Sequence, residues 1–215
     1  MVRFHFDLLS PYAYIAWTQI HRVAAAHGHE VEPVPTLLAG LLNAHGTKGP
    51  AEVPAKRVYV FKDAYRKAHS FGLPALTPPP THPFNPLLAL RLCTLPLPAE
   101  TRRRLIDALY AATWAGGGGV ESPADVRPIV TGLGLDAEAL IAAAGAPAAK
   151  AALKENTEAA VAAGVFGVPT AVVGGELFWG VDALPQLEVF FDGRDPIAGV
   201  SLERWAHVVP SATRR

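Results

Sequence analysis

With 215 residues, half of them hydrophobic, the chain is long enough for one large domain or for one domain carrying an insertion. Its 19 Lys and Arg balance 19 Asp and Glu, and this neutrality gives no electrostatic footing for nucleic acid or an anionic membrane surface. The single cysteine, Cys93, excludes both an internal disulfide and a CxxC redox pair.

Val2 to Asp7 has the aromatic and β-branched character of a strand. Ser10-Pro11 then predicts a helix start, a hydroxyl cap followed by proline at the first helical position. Ala13, Ala16, Trp17, Ile20, Val23 and Ala24 follow at helical spacing, and Gly28 ends the run. Val31 to Pro35 reads as a second strand, completing β-α-β. Thr36 to Ala44 is compact and apolar, and Pro54 to Phe71 carries Val58, Phe61, Ala64, Tyr65 and Ala68 as one helical face.

Leu76 to Pro80 contains three prolines and is loop or polyproline. Helices are expected over Pro86 to Thr94 and Glu100 to Trp114, with Arg102, Arg103 and Arg104 on a solvated face. Cys93 reads as a buried structural thiol. Ser122 to Leu133 is helical in character, although Pro128 leaves its start open. Asp136 to Ala144 and Pro147 to Ala163 read as two further helices. After Val168-Pro169, Thr170 to Val173 and Glu176 to Trp179 flank Gly174-Gly175, a two-residue hairpin signal. Asp182 to Phe191 reads as a closing helix. In the tail, Leu202, Trp205 and Val208 are candidates to pack, and Arg214 and Arg215 are expected to fray.

The element order is β-α-β, a long helical stretch, then β-β-α. That order predicts an α/β protein with a large inserted helical domain, residues 1–36 and 164–215 forming one unit and 37–163 the other, and it resembles the thioredoxin fold. Arg3, Asp7 and Pro11 interrupt the apolar N-terminus, so neither a signal peptide nor a membrane span is expected and a cytoplasmic protein is the natural reading.

Chemistry concentrates at two segments far apart in the chain, Phe4 to Tyr12 and Phe166 to Thr170. A thioredoxin-type site would bring them together, with Ser10 where a redox cysteine stands. A serine nucleophile needs a base and usually a GxSxG elbow, which is absent, and His5 belongs to the strand. Ser10 therefore reads as a helix cap or as a donor to sulfur. The helix N-terminus favours an anion, and lowering a bound thiol's pKa by two units needs only about 2.7 kcal/mol.

Phe6 to Tyr14, Phe166 to Thr170 and Phe178 to Leu184 resemble the 2-hydroxychromene-2-carboxylate isomerases, which group with the kappa-class glutathione transferases among DsbA-like proteins. Leu37 to Gly40, Gly49 to Ala51, Lys56 with Tyr59 and Asp63, and Pro83 to Asn85 before Leu90-Arg91 extend the resemblance over nearly the whole chain. It implies a homodimer that binds reduced glutathione and isomerises a small aromatic substrate in aromatic-compound catabolism.

By motif, Ser10 would meet the glutathione sulfur, and the backbone of Val168, before a cis-Pro169, would pair with the peptide. Asp182 would take the glutamyl amine, Lys56 a carboxylate, and Thr47 a further polar contact. Transferases often carry asparagine at the Thr47 position and serine at the Val181 position, and Val181 offers only a backbone N–H. Tyr12 and Trp17 are expected to wall the aromatic pocket. The alternatives are a kappa-like transferase acting on electrophiles, a thiol oxidoreductase weakened by the absent cysteine, and a non-catalytic thiol-ligand-binding protein.

Overall fold

A computed structural model describes residues 1–209 and 211. Arg214 and Arg215, expected to fray, lie outside the described residues. Strand β1 (Val2–Phe6) enters a four-residue turn, and helix α1 (Pro11–Ala26) leaves it from the N-cap Ser10. Strand β2 (Val31–Pro35) pairs with β1 in parallel, placing Val34 opposite His5. The chain then leaves the sheet for helices α2 (Leu38–Ala44), α3 (Pro54–Ser70), α4 (Leu87–Thr94) and α5 (Ala99–Trp114). Helices α6 (Pro123–Gly132), α7 (Ala137–Gly145) and α8 (Pro147–Ala162) follow.

It rejoins the sheet through β3 (Thr170–Val173) and β4 (Glu176–Trp179), then closes with α9 (Leu184–Phe191) and a short α10 (Glu203–Ala206). The sheet order is β2-β1-β3-β4, with β3 antiparallel to both neighbours, a mixed sheet consistent with the expected thioredoxin fold. Gly174 and Gly175 both take positive φ, which side chains with a Cβ rarely adopt, and this lets two residues close the β3–β4 hairpin.

Strand alternation puts Val2, Phe4 and Phe6 on the face that meets α1 and α5, where Trp17, Ile20, Leu109, Tyr110 and Trp114 complete the core. One apolar cluster therefore runs from the sheet into the helical stretch. The other face carries Arg3, His5 and Asp7. His5 is buried and its Nδ1 lies 3.0 Å from the Thr36 hydroxyl; burial, aided by Arg3, lowers its pKa to about 4, so it stays neutral. Among the described residues no helix is long and apolar enough to cross a membrane.

Several local expectations change. Helix α6 starts at Pro123 because Ser122 and Asp125 form a capping box, and Pro128 is accommodated inside it. On α3 only Phe61, Ala64 and Ala68 turn inward; Val58 and Tyr65 are exposed, because α3 packs on α1 along a narrow stripe. On the short terminal segment Val208 is 75% exposed, whereas Leu202 and Trp205 are covered over about half their surface, at 42% and 49% exposed.

Candidate active site

Sequence-distant segments meet at the N-terminus of α1. The Ser10 Oγ accepts from the Ala13 N–H at 3.1 Å, as an N-cap should, and donates to the Val168 carbonyl at 3.4 Å. The Val168–Pro169 peptide is cis. The Val168 N–H has no hydrogen-bond partner among the described residues. A 3.4 Å O–H···O contact is at the long limit for a hydrogen bond, so turning the hydroxyl toward an incoming acceptor costs little. Ser10 is only 7% exposed, which strengthens any charge-assisted bond it makes.

The turn that carries Ser10 is held from several directions. Tyr110 donates to the Asp7 carbonyl at 3.4 Å, Trp114 Nε1 to the Leu8 carbonyl at 2.9 Å, and His82 Nε2 lies 2.9 Å from the Leu9 carbonyl. The carbonyl can only accept, so His82 carries its proton on Nε2, and Nδ1 is buried without a partner. Burial pulls the His82 pKa down, against the pull of the Leu9 bond. Three successive carbonyls of the turn are thus fixed by side chains of the helical stretch. Sequence reasoning missed this support. Tyr110 and Trp114 carry only the signature of core aromatics, and His82 sits in a proline-rich loop.

Asp7 anchors the same turn from below. Its carboxylate accepts from the Leu9 N–H at 3.0 Å and from the Leu38 N–H, the first of α2, at 2.8 Å. Burial pushes its pKa up to about 6, against the lowering effect of these backbone donors. Asp7 therefore ties the Ser10 turn to the start of α2.

The outer wall comes from α3. Tyr12 donates its hydroxyl to Asp63 Oδ2 at 2.8 Å; Lys67 Nζ lies 3.3 Å from that oxygen and 3.0 Å from Asp182 Oδ1. Burial and the Asp63 bond push the Tyr12 phenol upward, so it stays protonated. Burial pulls Lys67 down, but its bonds to Asp182 and Asp63 outweigh that and leave it raised and charged. Lys67 was absent from the expected site; its i,i+4 spacing from Asp63 was the available signal.

Asp182 sits in a 3-10 turn, Val181–Ala183, one residue short of the α9 N-cap. It caps no helix. Its side chain is 80% exposed and bound to Lys67. Val181 is buried in the core. Lys56 and Thr47 are both exposed, Lys56 in the first turn of α3 and Thr47 in the loop after α2, where its N–H bonds the Leu42 carbonyl at 2.9 Å.

Trp17 corrects the expected pocket wall. It is 2% exposed, lies 5.8 Å from Phe4 and 5.9 Å from Phe6 between ring centroids, and spends its N–H on Asp107 at 2.6 Å. It belongs to the core because it lies on the inward face of α1. Cys93 is fully buried, and burial drives its thiol upward, far from an ionised nucleophile.

The description "DSBA-like thioredoxin domain" matches residues 1–192. A 2-hydroxychromene-2-carboxylate isomerase of Pseudomonas putida is 29% identical over 192 residues, covering 87% of this chain and 92% of the relative. Glutathione S-transferase kappa 1 of Homo sapiens is 25% identical over 221 residues, covering 98% and 95%. A solved selenomethionine 2-hydroxychromene-2-carboxylate isomerase superposes with a TM-score of 0.81 at 27% identity, covering 94% of this chain and 98% of that one. The family match spans most of the chain, and the chain belongs to the DSBA-like thioredoxin domain family.

Proposed function

We propose that this protein is a glutathione-dependent isomerase of the 2-hydroxychromene-2-carboxylate type, acting in the breakdown of aromatic compounds. The observation that carries the reading is the Ser10–Val168 contact. A thioredoxin-type junction is fully assembled, yet it holds a hydroxyl instead of a thiol. The reactive sulfur must therefore arrive with a ligand. The likeness to isomerases over most of both chains supports the substrate class.

The residues fit such a ligand. The unpartnered Val168 N–H and its carbonyl offer the two halves of a strand-like pairing to a peptide. Asp182 offers a carboxylate to an amine, and the exposed Lys56 an ammonium to a carboxylate. Bound there, the glutathione thiolate adds reversibly to a conjugated carbon of the substrate, so that a stiff double bond becomes a rotatable single bond until the sulfur leaves with its bonding pair.

Ser10 stabilises the charged sulfur by donating its hydroxyl proton, which it releases from Val168 at little cost. The dipole of α1 adds to this, with the Tyr12 N–H as its open donor: Pro11 has no N–H, Ala13 bonds the Ser10 Oγ and Tyr14 the Ser10 carbonyl. The buried turn excludes water from one side of the sulfur, which strengthens both effects. The half-buried Tyr12 body offers an apolar flank, and its protonated hydroxyl stays on Asp63.

The test is turnover of 2-hydroxychromene-2-carboxylate with and without glutathione, beside calorimetry of glutathione binding. Ser10→Ala should lower turnover about ten- to hundredfold, the worth of one charge-assisted hydrogen bond. Unchanged turnover would remove Ser10 from the mechanism, and turnover without glutathione would remove the ligand. A kappa-like transferase is the second reading, favoured by the kappa relative's alignment over 98% of this chain. Conjugation of 1-chloro-2,4-dinitrobenzene, faster than the isomerisation, would select it. The same reading carries a homodimer, which sedimentation would test.

A further inference from the structure

Helices α2, α4 and α8 enclose a groove of about 470 Å³, lined by none of the residues assigned to the Ser10 site. Each helix contributes one stripe. Leu37, Gly40 and Ala44 come from the entrance and length of α2, Leu87 and Arg91 from α4, and Lys150, Leu153, Lys154, Thr157, Glu158 and Val161 from α8. The helical period sets this pattern: 150, 154, 157, 158 and 161 fall on one side of a helix.

The floor is apolar, made by Leu37, Leu87, Leu153 and Val161. Its one hydroxyl is already satisfied, since Thr157 donates to the Leu153 carbonyl at 2.8 Å and accepts from the Leu37 N–H at 3.1 Å. The helices cannot slide together to fill the space. At Gly40 they already touch, and a Cβ placed there would sit 2.8 Å from Thr157 Cγ2.

The rim is cationic. Arg91, Lys150 and Lys154 face one acid, Glu158, which pairs with Lys154 at 3.1 Å. Among the described residues neither Arg91 nor Lys150 has an ion pair. The Arg91 Nε is buried with no hydrogen-bond partner. A buried guanidinium N–H left unpaired is costly, so this edge of the groove is short of an acceptor.

We propose that the groove is a second ligand site, for a small amphipathic carboxylic acid whose apolar body lies on the leucine floor and whose carboxylate meets Arg91 and Lys150. The size suits a compact organic acid, because ligand sites commonly span about 300–1,000 Å³ with few placed polar groups. Charge complementarity selects the anion: two unpaired cations stand over an apolar floor with no unpaired acid beside them. This site goes beyond the thiol chemistry at Ser10 and does not depend on it.

The test is calorimetry of the full chain with decanoate, with 2-naphthoate and with neutral decanol. Saturable binding of at least one acid, with decanol at least tenfold weaker, is expected; the two acids separate an aliphatic from an aromatic ligand. Lys150→Glu should weaken the acid about tenfold, and Ala44→Trp, filling the groove, should abolish binding. Both lie on exposed helix surface, so circular dichroism should be unchanged. Ser10→Ala should leave acid binding as it was. No saturable binding, binding insensitive to both groove variants, equal binding of decanol, or loss of binding in Ser10→Ala would each overturn the proposal. So would a change of sedimentation mass in Ala44→Trp, which would make the groove a contact between copies.

Discussion

The two sides of the candidate site are built differently. The Ser10 side is buried, and its backbone is fixed by Tyr110, Trp114, His82 and Asp7 through contacts that span the chain. The α3 side is a relay, Tyr12 to Asp63 to Lys67 to Asp182, that runs from half-buried side chains out to a carboxylate that is 80% exposed. Buried hydrogen bonds are expensive to break, whereas exposed ion pairs are worth about 0–1 kcal/mol. The group that would meet sulfur is therefore pre-positioned by the fold, and the groups that would meet a ligand's charged ends are free to rearrange.

The sharpest way to break this contrast is at Asp7. Asp7→Ala leaves the Leu9 and Leu38 N–H groups without their acceptor, and should cost about 3 kcal/mol in denaturant unfolding. A loss below about 1 kcal/mol would mean that the turn is not anchored there. The pH dependence gives a second handle. Burial raises the pKa of Asp7 to about 6 when folded, against the ordinary carboxylate value of 3.8. Between these values the folded state binds more protons than the unfolded one, so this contribution is full below about pH 4 and is lost as pH rises through about 6. The stability gap between wild type and Asp7→Ala should widen as pH falls from 6 to 4, by about 2 kcal/mol.

A smaller effect is expected beside the cis proline. A Cβ at Gly167 would sit 2.8 Å from Trp179 Nε1, so Gly167→Ala must displace the indole from its contact with Phe166. About 1–2 kcal/mol should be lost in thermal unfolding. A neutral result would show that Trp179, exposed on β4, yields freely.

On the α3 side the expected stability changes are the smallest. Asp182→Ala should move the unfolding free energy by less than about 1 kcal/mol, while glutathione binding weakens roughly tenfold by calorimetry. If stability fell as far as in Asp7→Ala, the two sides would not differ in the way the structure implies.

Most of the fold was legible in the chain. The strand alternation of Val2 to Phe6, the Ser10-Pro11 start and the Gly174-Gly175 hairpin are local signals, and each appears where its pattern predicts. Misreadings arose where a local pattern fits two environments. Val58 and Tyr65 share the period of α3 but lie beyond the stripe that α1 covers. Trp17 reads equally as wall or core until its neighbours Phe4 and Phe6 are known. The closing helix, expected from Asp182, starts at Leu184 because Val181–Ala183 form a 3-10 turn.

By itself the sequence determined that the junction before α1 would hold a hydroxyl and no thiol, because that depends only on which residue caps the helix. Which groups would hold that hydroxyl was decided by the tertiary structure alone. His82, Tyr110 and Trp114 reach the Ser10 turn across 73 to 106 residues, and Lys67 reaches Asp182 from another element. Contacts of that range arise from how helices pack on a sheet, and neither propensity nor spacing encodes them.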